Sequence, residues 1–301
     1  MQSAFKRIVV STDFSDTADT AVKAAIELGG YYRSAVDIVN VVDATVYAYA
    51  GYPFASLSKE LLASAEQALQ RMKLPAGADG VKVNRFILSG TPATEICEHA
   101  KRHDADLIAI GTHGRGTLGR LLLGSVADRV LHEAKVPVLV TKAPAGKIKH
   151  PKKKTKPFRK VLFPTDFSDT ANKALKRAIA ITEDMDAELF VLHVVDDSLI
   201  STHVPEERKM ILQELRRHAL DEMRKTLPAE LMANFETIGA VRRGEPGKQV
   251  AAYAEAMGCD LIVMGSHGRT GIERVLLGSI ADKVVRRAKC AVLIERADRK
   301  K

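Results

Sequence analysis

The feature that most constrains the fold of this 301-residue chain is a long internal repeat. The letters TDFSDTA occur at Thr12–Ala18 and again at Thr165–Ala171, an offset of 153 residues. The later pairs GTHGR/GSHGR and LLGSVAD/LLGSIAD recur at an offset of 154. A period near 150 residues is too long for a solenoid and matches one whole domain. We therefore predict two domains related by duplication, 1–143 and 158–297, joined by a linker at 144–157.

The predicted linker region carries the charge excess of the chain. The formal net charge is +9, from 46 Lys and Arg against 37 Asp and Glu. Residues 142–160 contain nine basic residues and no acidic one, so the remainder of the chain sums to zero. Such a run favours an exposed linker, and it leaves non-specific attraction to nucleic acid as an alternative function. Its one aromatic residue, Phe158, supports base stacking poorly, so we expect no specific nucleic-acid partner.

Composition favours a soluble cytoplasmic protein without a membrane partner. No apolar run approaches the roughly 20 residues that a membrane-spanning helix needs. The first residues lack the apolar core of a signal peptide and lead directly into a predicted strand. The three cysteines are scattered and form no Cys-x-x-Cys pair, which argues against a disulfide framework or a zinc site built on cysteine.

Each half alternates short apolar runs with segments of helical spacing. In the first half, Arg7–Ser11 is predicted to be a strand, and a helix is predicted over 16–28 with Gly29 and Gly30 as its stop. Strands that are apolar on both faces are typical of a parallel sheet covered by helices on each side. We predict an α/β fold with two tandem, doubly wound, mainly parallel five-stranded sheets. Ligands of such sheets bind beyond the carboxyl ends of strands, here after the first and fourth strands.

The loop after each fourth strand has the pattern Gly-x2-Gly-x9-Gly-Ser, beginning at Gly111 and at Gly265. Glycine at a strand end lets the backbone approach a ligand closely. The final Gly-Ser opens a helix, whose free amides and positive dipole end suit a phosphate. The alternative is a capped helix without a ligand, in which Ser125 pairs with Asp128 and Ser279 with Asp282. The pattern is neither a Walker A loop nor the Rossmann fingerprint.

Together with Asp13 and Asp166 after the first strand of each half, this pattern resembles the ATP-binding signature of the universal stress protein family, over essentially the whole chain. The resemblance implies a Rossmann-like, adenine-nucleotide α-hydrolase-like fold. It also implies a stress-response regulator that acts as a nucleotide-dependent sensor or adaptor, with slow ATP hydrolysis at most. The implied cofactor is ATP, or AMP or ADP, and Mg²⁺ could accompany ATP. The family usually has Pro two residues before this Asp, as at Pro164, whereas the first half has Ser11, so a looser first site is expected.

The resemblance also implies association through the last strands. Residues 137–140 and 291–294 are expected to pair, giving an internal pseudo-dimer of the two domains. Association of two chains into a homodimer and the identity of a protein partner are left open.

The nucleotide contacts implied by the resemblance fall into groups. The aspartates would hold adenine or ribose, backbone groups of the second strands would contact the adenine edge, and the glycine loops and helix starts would hold ribose and phosphates. The full predicted set is Thr12, Asp13, Val41, Gly111, Gly114, Arg115, Gly124, Ser125, Val126, Thr165, Asp166, Val194, Gly265, Gly268, Arg269, Gly278, Ser279 and Ile280.

Several of these residues have an alternative role. Asp13 and Asp166 could cap the following helices, although Ser15 and Ser168 are better placed for that. Arg115 and Arg269 could instead be solvated surface arginines.

An enzyme that hydrolyses ATP or transfers a nucleotidyl group is the alternative function. His113 and His267 lie in the glycine loops, where a general base would be wanted, but no nearby carboxylate is placed to orient them. We therefore predict no catalytic residue. His99 and His103 have a spacing that can bind metal on a helix, but the sequence shows no third ligand and Lys101 lies between them. An exposed polar face is the preferred interpretation, and no metal site is predicted.

Overall fold

The computed structural model describes residues 5–43, 54–112, 123–142, 156–200, 204–232, 238–267 and 277–296. The chain divides into two units, unit 1 from Met1 to Pro157 and unit 2 from Phe158 to Lys301. The predicted linker at 144–157 lies almost entirely outside the described residues.

Unit 1 contains a five-stranded sheet in the order β3-β2-β1-β4-β5, and every described strand pair is parallel. The order reverses direction between β1 and β4, which is the doubly wound arrangement predicted from the alternation of strands and helices. The strands are β1 Arg7–Ser11, β2 Ala35–Val42, β3 Lys82–Ser89, β4 Leu107–Gly111 and β5 Val138–Thr141. The helices are α1 Asp16–Tyr32, α2 Phe54–Arg71, α3 Pro92–Arg102 and α4 Ser125–Glu133.

Unit 2 repeats this topology, with the order β8-β7-β6-β9-β10 and parallel pairing throughout its described strands. The strands are β6 Lys160–Thr165, β7 Glu188–Val195, β8 Gly239–Arg243, β9 Leu261–Gly265 and β10 Ala291–Glu295. The helices are α5 Asp169–Met185, α6 Pro205–Thr226, α7 Ala229–Met232, α8 Pro246–Met257 and α9 Ser279–Arg287, with a 3₁₀ turn at Asp197–Leu199. The predicted α/β class with tandem parallel sheets is confirmed.

The core of each unit lies on both faces of its central strands. In β1, the three consecutive residues Ile8, Val9 and Val10 are 0% exposed, although their side chains point to alternate faces of the sheet. The same holds for Leu261, Ile262 and Val263 in β9. Continuous apolar strands therefore mark a sheet that helices cover on both sides, as predicted.

The predicted helix stop at Gly29 and Gly30 is wrong. Helix α1 continues to Tyr32 and ends at Arg33, which adopts the left-handed conformation with φ 57°. A Cβ on Gly29 would lie 2.6 Å from Val36 Cγ2 of β2. Gly29 therefore allows close packing of α1 on the sheet, and it does not end the helix.

Among the described helices, none is both long and apolar enough to cross a membrane.

Candidate functional site

The candidate site of each unit lies where the strand order reverses direction. In unit 1, β1 and β4 are adjacent and parallel, so the loops after Ser11 and Gly111 leave the sheet at the same edge. In unit 2, β6 and β9 have the same relation. The topology thus brings together, within each unit, the two loops that the sequence singles out.

The loop after β1 is a tight turn held by its own side chains. The Thr12 amide donates to Val39 O at 2.9 Å, and Thr12 itself is buried. Thr12 Oγ1 accepts from the Phe14 amide at 3.0 Å, and Phe14 has φ 62°. Asp13 Oδ1 accepts from the Ser15 amide at 3.1 Å, with the Asp13 carboxylate half-buried at the edge of the sheet.

The loop after β6 repeats these contacts. Thr165 Oγ1 accepts from the Phe167 amide at 3.0 Å, and Asp166 Oδ1 accepts from the Ser168 amide at 3.1 Å. Phe167 has φ 65°, close to the value in the first copy. The two hydrogen bonds are thus present in both loops, although Ser11 stands in the first half where the second has Pro164.

Serine residues, and not the aspartates, cap the helices that follow. Ser15 is the N-cap of α1, and its Oγ accepts from the Ala18 amide at 3.3 Å. Ser168 does the same for α5, accepting from the Ala171 amide at 3.2 Å. Because the cap role is already filled, the capping alternative for Asp13 and Asp166 is not the one that the structure adopts.

Sequence reasoning missed two residues that fix these loops. Asn40 Nδ2 donates to Thr12 O at 2.8 Å in unit 1. At the corresponding place in unit 2, His193 Nδ1 lies 2.9 Å from Thr165 O, and its ring stacks on Phe167 with centroids 4.7 Å apart. The two copies use different residue types for one task, so the internal repeat does not mark these positions.

The glycines that end the fourth strands are required by close packing. A Cβ on Gly111 would lie 2.6 Å from Thr17 O, in the first turn of α1. A Cβ on Gly265 would lie 3.0 Å from the carbonyl of Thr170 in α5. Both strand ends are therefore pressed against the helix that follows the aspartate loop.

Helices α4 and α9 begin without a side-chain cap. Their N-cap residues are Gly124 and Gly278, with φ near −60° and no capping hydrogen bond from a side chain. Ser125 and Ser279 are already the first helical residues, so the alternative in which they cap the helices in pairs with Asp128 and Asp282 is not what the structure adopts. Asp282 instead accepts from Arg286 Nε at 2.9 Å, and Asp128 lies 3.7 Å from His132 Nδ1.

The start of each of these helices faces solvent. Ser125 and Ser279 are exposed, Val126 is half-buried, and Ile280 is 37% exposed. The glycine amides are directed back to the fourth-strand ends, where Gly124 N donates to Thr112 O at 2.6 Å and Gly278 N donates to Ser266 O at 2.8 Å.

The remaining predicted site residues are two valines on the second strands and four residues of the glycine loops. Val41 and Val194 lie near the carboxyl ends of β2 and β7 and are half-buried. Both strands neighbour the strand that precedes the aspartate loop. Four predicted residues lie outside the described ranges: Gly114, Arg115, Gly268 and Arg269.

The histidine of the glycine loop is described only in unit 2, because His113 lies outside the described residues. His267 Nδ1 lies 3.0 Å from Ser266 Oγ, and the His267 carbonyl accepts from Thr170 Oγ1 at 2.7 Å. These contacts fix the loop against α5. Neither contact supplies a carboxylate that would orient a general base.

His99 is not on an exposed face, contrary to the preferred interpretation from sequence. It is 1% exposed, and its Nε2 lies 3.3 Å from Asp37 Oδ2. His103, directly after α3, stacks beside it with ring centroids 4.2 Å apart. This cluster lies near the amino end of β2, away from the strand ends that form the candidate site.

The described geometry defines a class of protein: tandem α/β domains, each with a doubly wound parallel sheet whose strand order reverses between its two central strands. The universal stress protein family model matches residues 4–142 and 157–296, so this chain belongs to that family as a tandem member.

Similar proteins support this assignment. A universal stress protein of Methanocaldococcus jannaschii is 40% identical over 147 residues, covering 48% of this chain and 85% of the relative. One of Mycolicibacterium smegmatis is 27% identical over 296 residues, covering 96% of both chains. The crystal structure of a universal stress protein from Archaeoglobus fulgidus aligns with a TM-score of 0.69 at 23% identity, covering 99% of this chain and 98% of that one.

Proposed function

We propose that each unit binds an adenine nucleotide at the carboxyl ends of its central strands and that the chain acts as a nucleotide-dependent regulator in the stress response. The observation that carries the proposal is the pair of helices, α4 and α9, that begin at a glycine with no side-chain cap. A helix start normally has its free amides satisfied by a side chain, water or a ligand. Here the start lies beside a half-buried aspartate loop in both copies.

The helix starts fit the phosphates. Free amides and the positive end of the helix dipole attract an anion, each by a modest free energy that adds to direct hydrogen bonds. Because Gly124 and Gly278 have no side chain, nothing from the cap position itself blocks approach to the amides of Ser125 and Ser279. Gly114, Arg115, Gly268 and Arg269 are proposed to complete the phosphate contacts.

The aspartate loops fit the ribose and base. A carboxylate accepts hydrogen bonds from ribose hydroxyls or from the adenine amino group. Asp13 and Asp166 are held at the strand ends by the Ser15 and Ser168 amides, and the capping task has passed to those serines. Thr12 and Thr165 shape the same turns. Backbone groups near Val41 and Val194 are proposed to contact the adenine edge.

The first experiment is extraction of the purified protein with acid, followed by identification of any released nucleotide and titration of the stripped protein with ATP, ADP and AMP, with and without Mg²⁺. The test variants are Gly124→Asp with Gly278→Asp. Asp is a favourable N-cap, so both helices should stay folded, while its carboxylate occupies the amides and repels a phosphate. We expect affinity for ATP to fall at least about tenfold, equivalent to about 1.4 kcal/mol.

The matched control is Gly124→Asn with Gly278→Asn, which places a cap of the same size without the charge. If the helix starts hold phosphates, the Asn pair should weaken ATP binding less than the Asp pair. The same bound nucleotide content in wild type, the Asn pair and the Asp pair would refute the phosphate assignment.

We propose that hydrolysis of ATP is slow at most. The His267 ring contacts the neighbouring Ser266 Oγ, and the His267 carbonyl accepts from Thr170 Oγ1, so neither of these two contacts orients the ring as a general base. Turnover should be far below the about 10 per second typical of enzymes. Steady multiple turnover that is abolished in His113→Ala with His267→Ala would instead favour the enzyme alternative.

We further propose that the two units form an internal pseudo-dimer through β5 and β10, each the last strand in the order of its unit. The presence of two family domains in one chain supports this arrangement. Backbone amides of β5 and β10 should then exchange with deuterium more slowly than those of β3 and β8, at the other end of each order. Equal exchange would contradict the pairing. Light scattering after gel filtration would separately measure whether two chains form a homodimer.

A further inference from the structure

A second cluster of ligand-type side chains lies in unit 1, apart from the strand-end site. It consists of Asp37 on β2, His99 on α3 and His103 directly after α3, and is called here the Asp–His cluster. One ligand atom from each residue lies within 4.8 Å of the others. Asp37 and His99 are buried, whereas His103 is half-buried and gives a route from solvent.

The surroundings of Asp37 favour its ionised form. Its side chain is 0% exposed. Arg7 Nη1 donates to both carboxylate oxygens, at 3.1 Å and 2.9 Å, and Asn84 Nδ2 donates to Oδ1 at 2.7 Å. Hydrogen bonds from a guanidinium and an amide favour the ionised form of a carboxyl group. A carboxylate is therefore present at neutral pH.

The two histidines converge on that carboxylate. His99 Nε2 lies 3.3 Å from Asp37 Oδ2. The His103 ring lies beside the His99 ring at an interplanar angle of 31°. Phe86 packs on both rings, with centroid distances of 4.5 Å to His99 and 5.5 Å to His103. This packing limits the rotation of both imidazoles and shields one side of the cluster.

Unit 2 shows that the fold does not need this cluster. At the internal offset of the repeat, the positions of Asp37, His99 and His103 are taken by Phe190, Tyr253 and Met257. Buried polar and charged groups cost free energy relative to apolar packing. Because the duplicated unit uses aromatic and thioether side chains at the same places, the Asp–His cluster is a feature of unit 1 beyond the requirements of the sheet.

We propose that Asp37, His99 and His103 bind a divalent transition metal ion, Zn²⁺ in the first instance, with one coordination position left open toward solvent. Two imidazole nitrogens and one carboxylate oxygen are a ligand set that Zn²⁺ takes in proteins. With metal–ligand bonds of about 2.0–2.1 Å, tetrahedral ligand atoms are about 3.3 Å apart. Asp37 and His99 already have that separation, and the His103 ligand atom, which lies within 4.8 Å of both, would move closer on binding.

The surroundings of the cluster agree with a bound cation. The cluster lies at the carboxyl end of α3, where the negative end of the helix dipole favours positive charge. Asn84 Nδ2 donates to Asp37 Oδ1, so it can hold the carboxylate in place while Oδ2 coordinates the metal. Arg7 Nη1 donates to both oxygens and lies closer to Oδ2, at 2.9 Å, so a Zn²⁺ ion on Oδ2 would replace both the His99 contact and the Arg7 contact with that oxygen and leave Arg7 on Oδ1.

The test uses the full chain, stripped with a chelator and then titrated with Zn²⁺ by calorimetry and with Co²⁺ by visible absorption. The expected result is one metal ion per chain and Co²⁺ bands typical of tetrahedral coordination by nitrogen and oxygen. His99→Tyr and His103→Met install the residues that unit 2 has at these positions, so their packing is compatible with the fold. Each is expected to weaken Zn²⁺ binding at least about tenfold, and the double variant to abolish it.

His218→Ala is the matched control, because His218 is an exposed histidine on α6 far along the chain from the cluster. It should leave the stoichiometry and affinity for Zn²⁺ unchanged. The proposal is overturned if wild type shows no saturable binding of Zn²⁺ or no tetrahedral Co²⁺ spectrum, or if His99→Tyr with His103→Met binds metal as wild type does. The wild-type spectrum decides the matter even where a variant fails to fold. Gly124→Asp with Gly278→Asp should not alter metal binding, which separates this result from the nucleotide proposal.

Discussion

Adjacent glycines in α1 offer a matched test of how the helix packs. Gly29 is buried, and a Cβ there would lie 2.6 Å from Val36 Cγ2 and 3.0 Å from Val81 Cγ1. Gly30 is exposed, and the nearest atoms to its Cβ would lie at 3.6 Å, an ordinary contact. The two positions thus share a helix and differ in the space beside them.

The magnitudes follow from this difference. Ala is preferred over Gly in a helix by about 1 kcal/mol, so Gly30→Ala should stabilise unit 1 by roughly that free energy of unfolding. Gly29→Ala gains the same propensity, but its methyl group must move about 1 Å from Val36 to reach the usual carbon–carbon separation of about 3.5–4.0 Å. Overpacking of this kind costs about 1–3 kcal/mol. The propensity gain cancels between the variants, so they should differ by about 1–3 kcal/mol.

The assay is urea unfolding combined with hydrogen exchange mass spectrometry. Exchange of the amides of β1 and β2 reports opening of unit 1, and exchange of the amides of β6 provides an internal reference in unit 2. Gly29→Ala should exchange faster and Gly30→Ala slower than wild type in β2, with β6 unchanged. If Gly30→Ala destabilises unit 1 as much as Gly29→Ala does, then close packing of Gly29 against Val36 does not explain the difference between the two positions.

Three further results are expected. Gly111→Ala should destabilise unit 1 by about 1–3 kcal/mol in urea unfolding, since the added Cβ would lie 2.6 Å from a backbone oxygen. Gly265→Ala should destabilise unit 2 by less, since its Cβ would lie 3.0 Å from the nearest backbone atoms. Equal losses of stability in the two variants would contradict this expectation. Ser15→Ala removes a helix cap and should cost about 1 kcal/mol in thermal unfolding, whereas Ser125→Ala should change stability by less than about 0.5 kcal/mol. Burial, with smaller contributions from neighbouring charges, raises the pKa of Cys259 to about 11, so a disulfide reagent at pH 8 should modify it far more slowly in folded than in unfolded protein.

Local sequence patterns predicted the fold because each of them has a direct structural meaning. Apolar runs such as Ile8–Val10 can only be covered on both faces in a helix-clad parallel sheet. Ser15 could be recognised as a cap from its place before the first helical turn. The repeat located both strand-end loops, because the same motifs follow predicted strands in each half, and ligands of doubly wound sheets bind beyond the carboxyl ends of strands.

Other features depended on contacts between distant residues. Gly29 looked like a helix stop, but its meaning depends on Val36 in the next strand. Ser125 looked like a capping residue, and only the backbone shows that the helix starts at Ser125 itself, one residue earlier than a Ser125 cap would require. The histidine pair in α3 showed no third ligand, because Asp37 lies 62 residues from His99 in the chain.

By itself, the sequence determined the duplication, the α/β class, and the two strand ends that carry the repeated motifs, since periodicity and repetition are properties of the chain alone. Only the tertiary structure decided which of the candidate groups fill those positions and which are already used elsewhere. It left the starts of α4 and α9 without a side-chain cap and placed Asp37 beside His99. The physical reason is that hydrogen bonding and burial depend on distance in space, which the separation of residues along the chain does not specify.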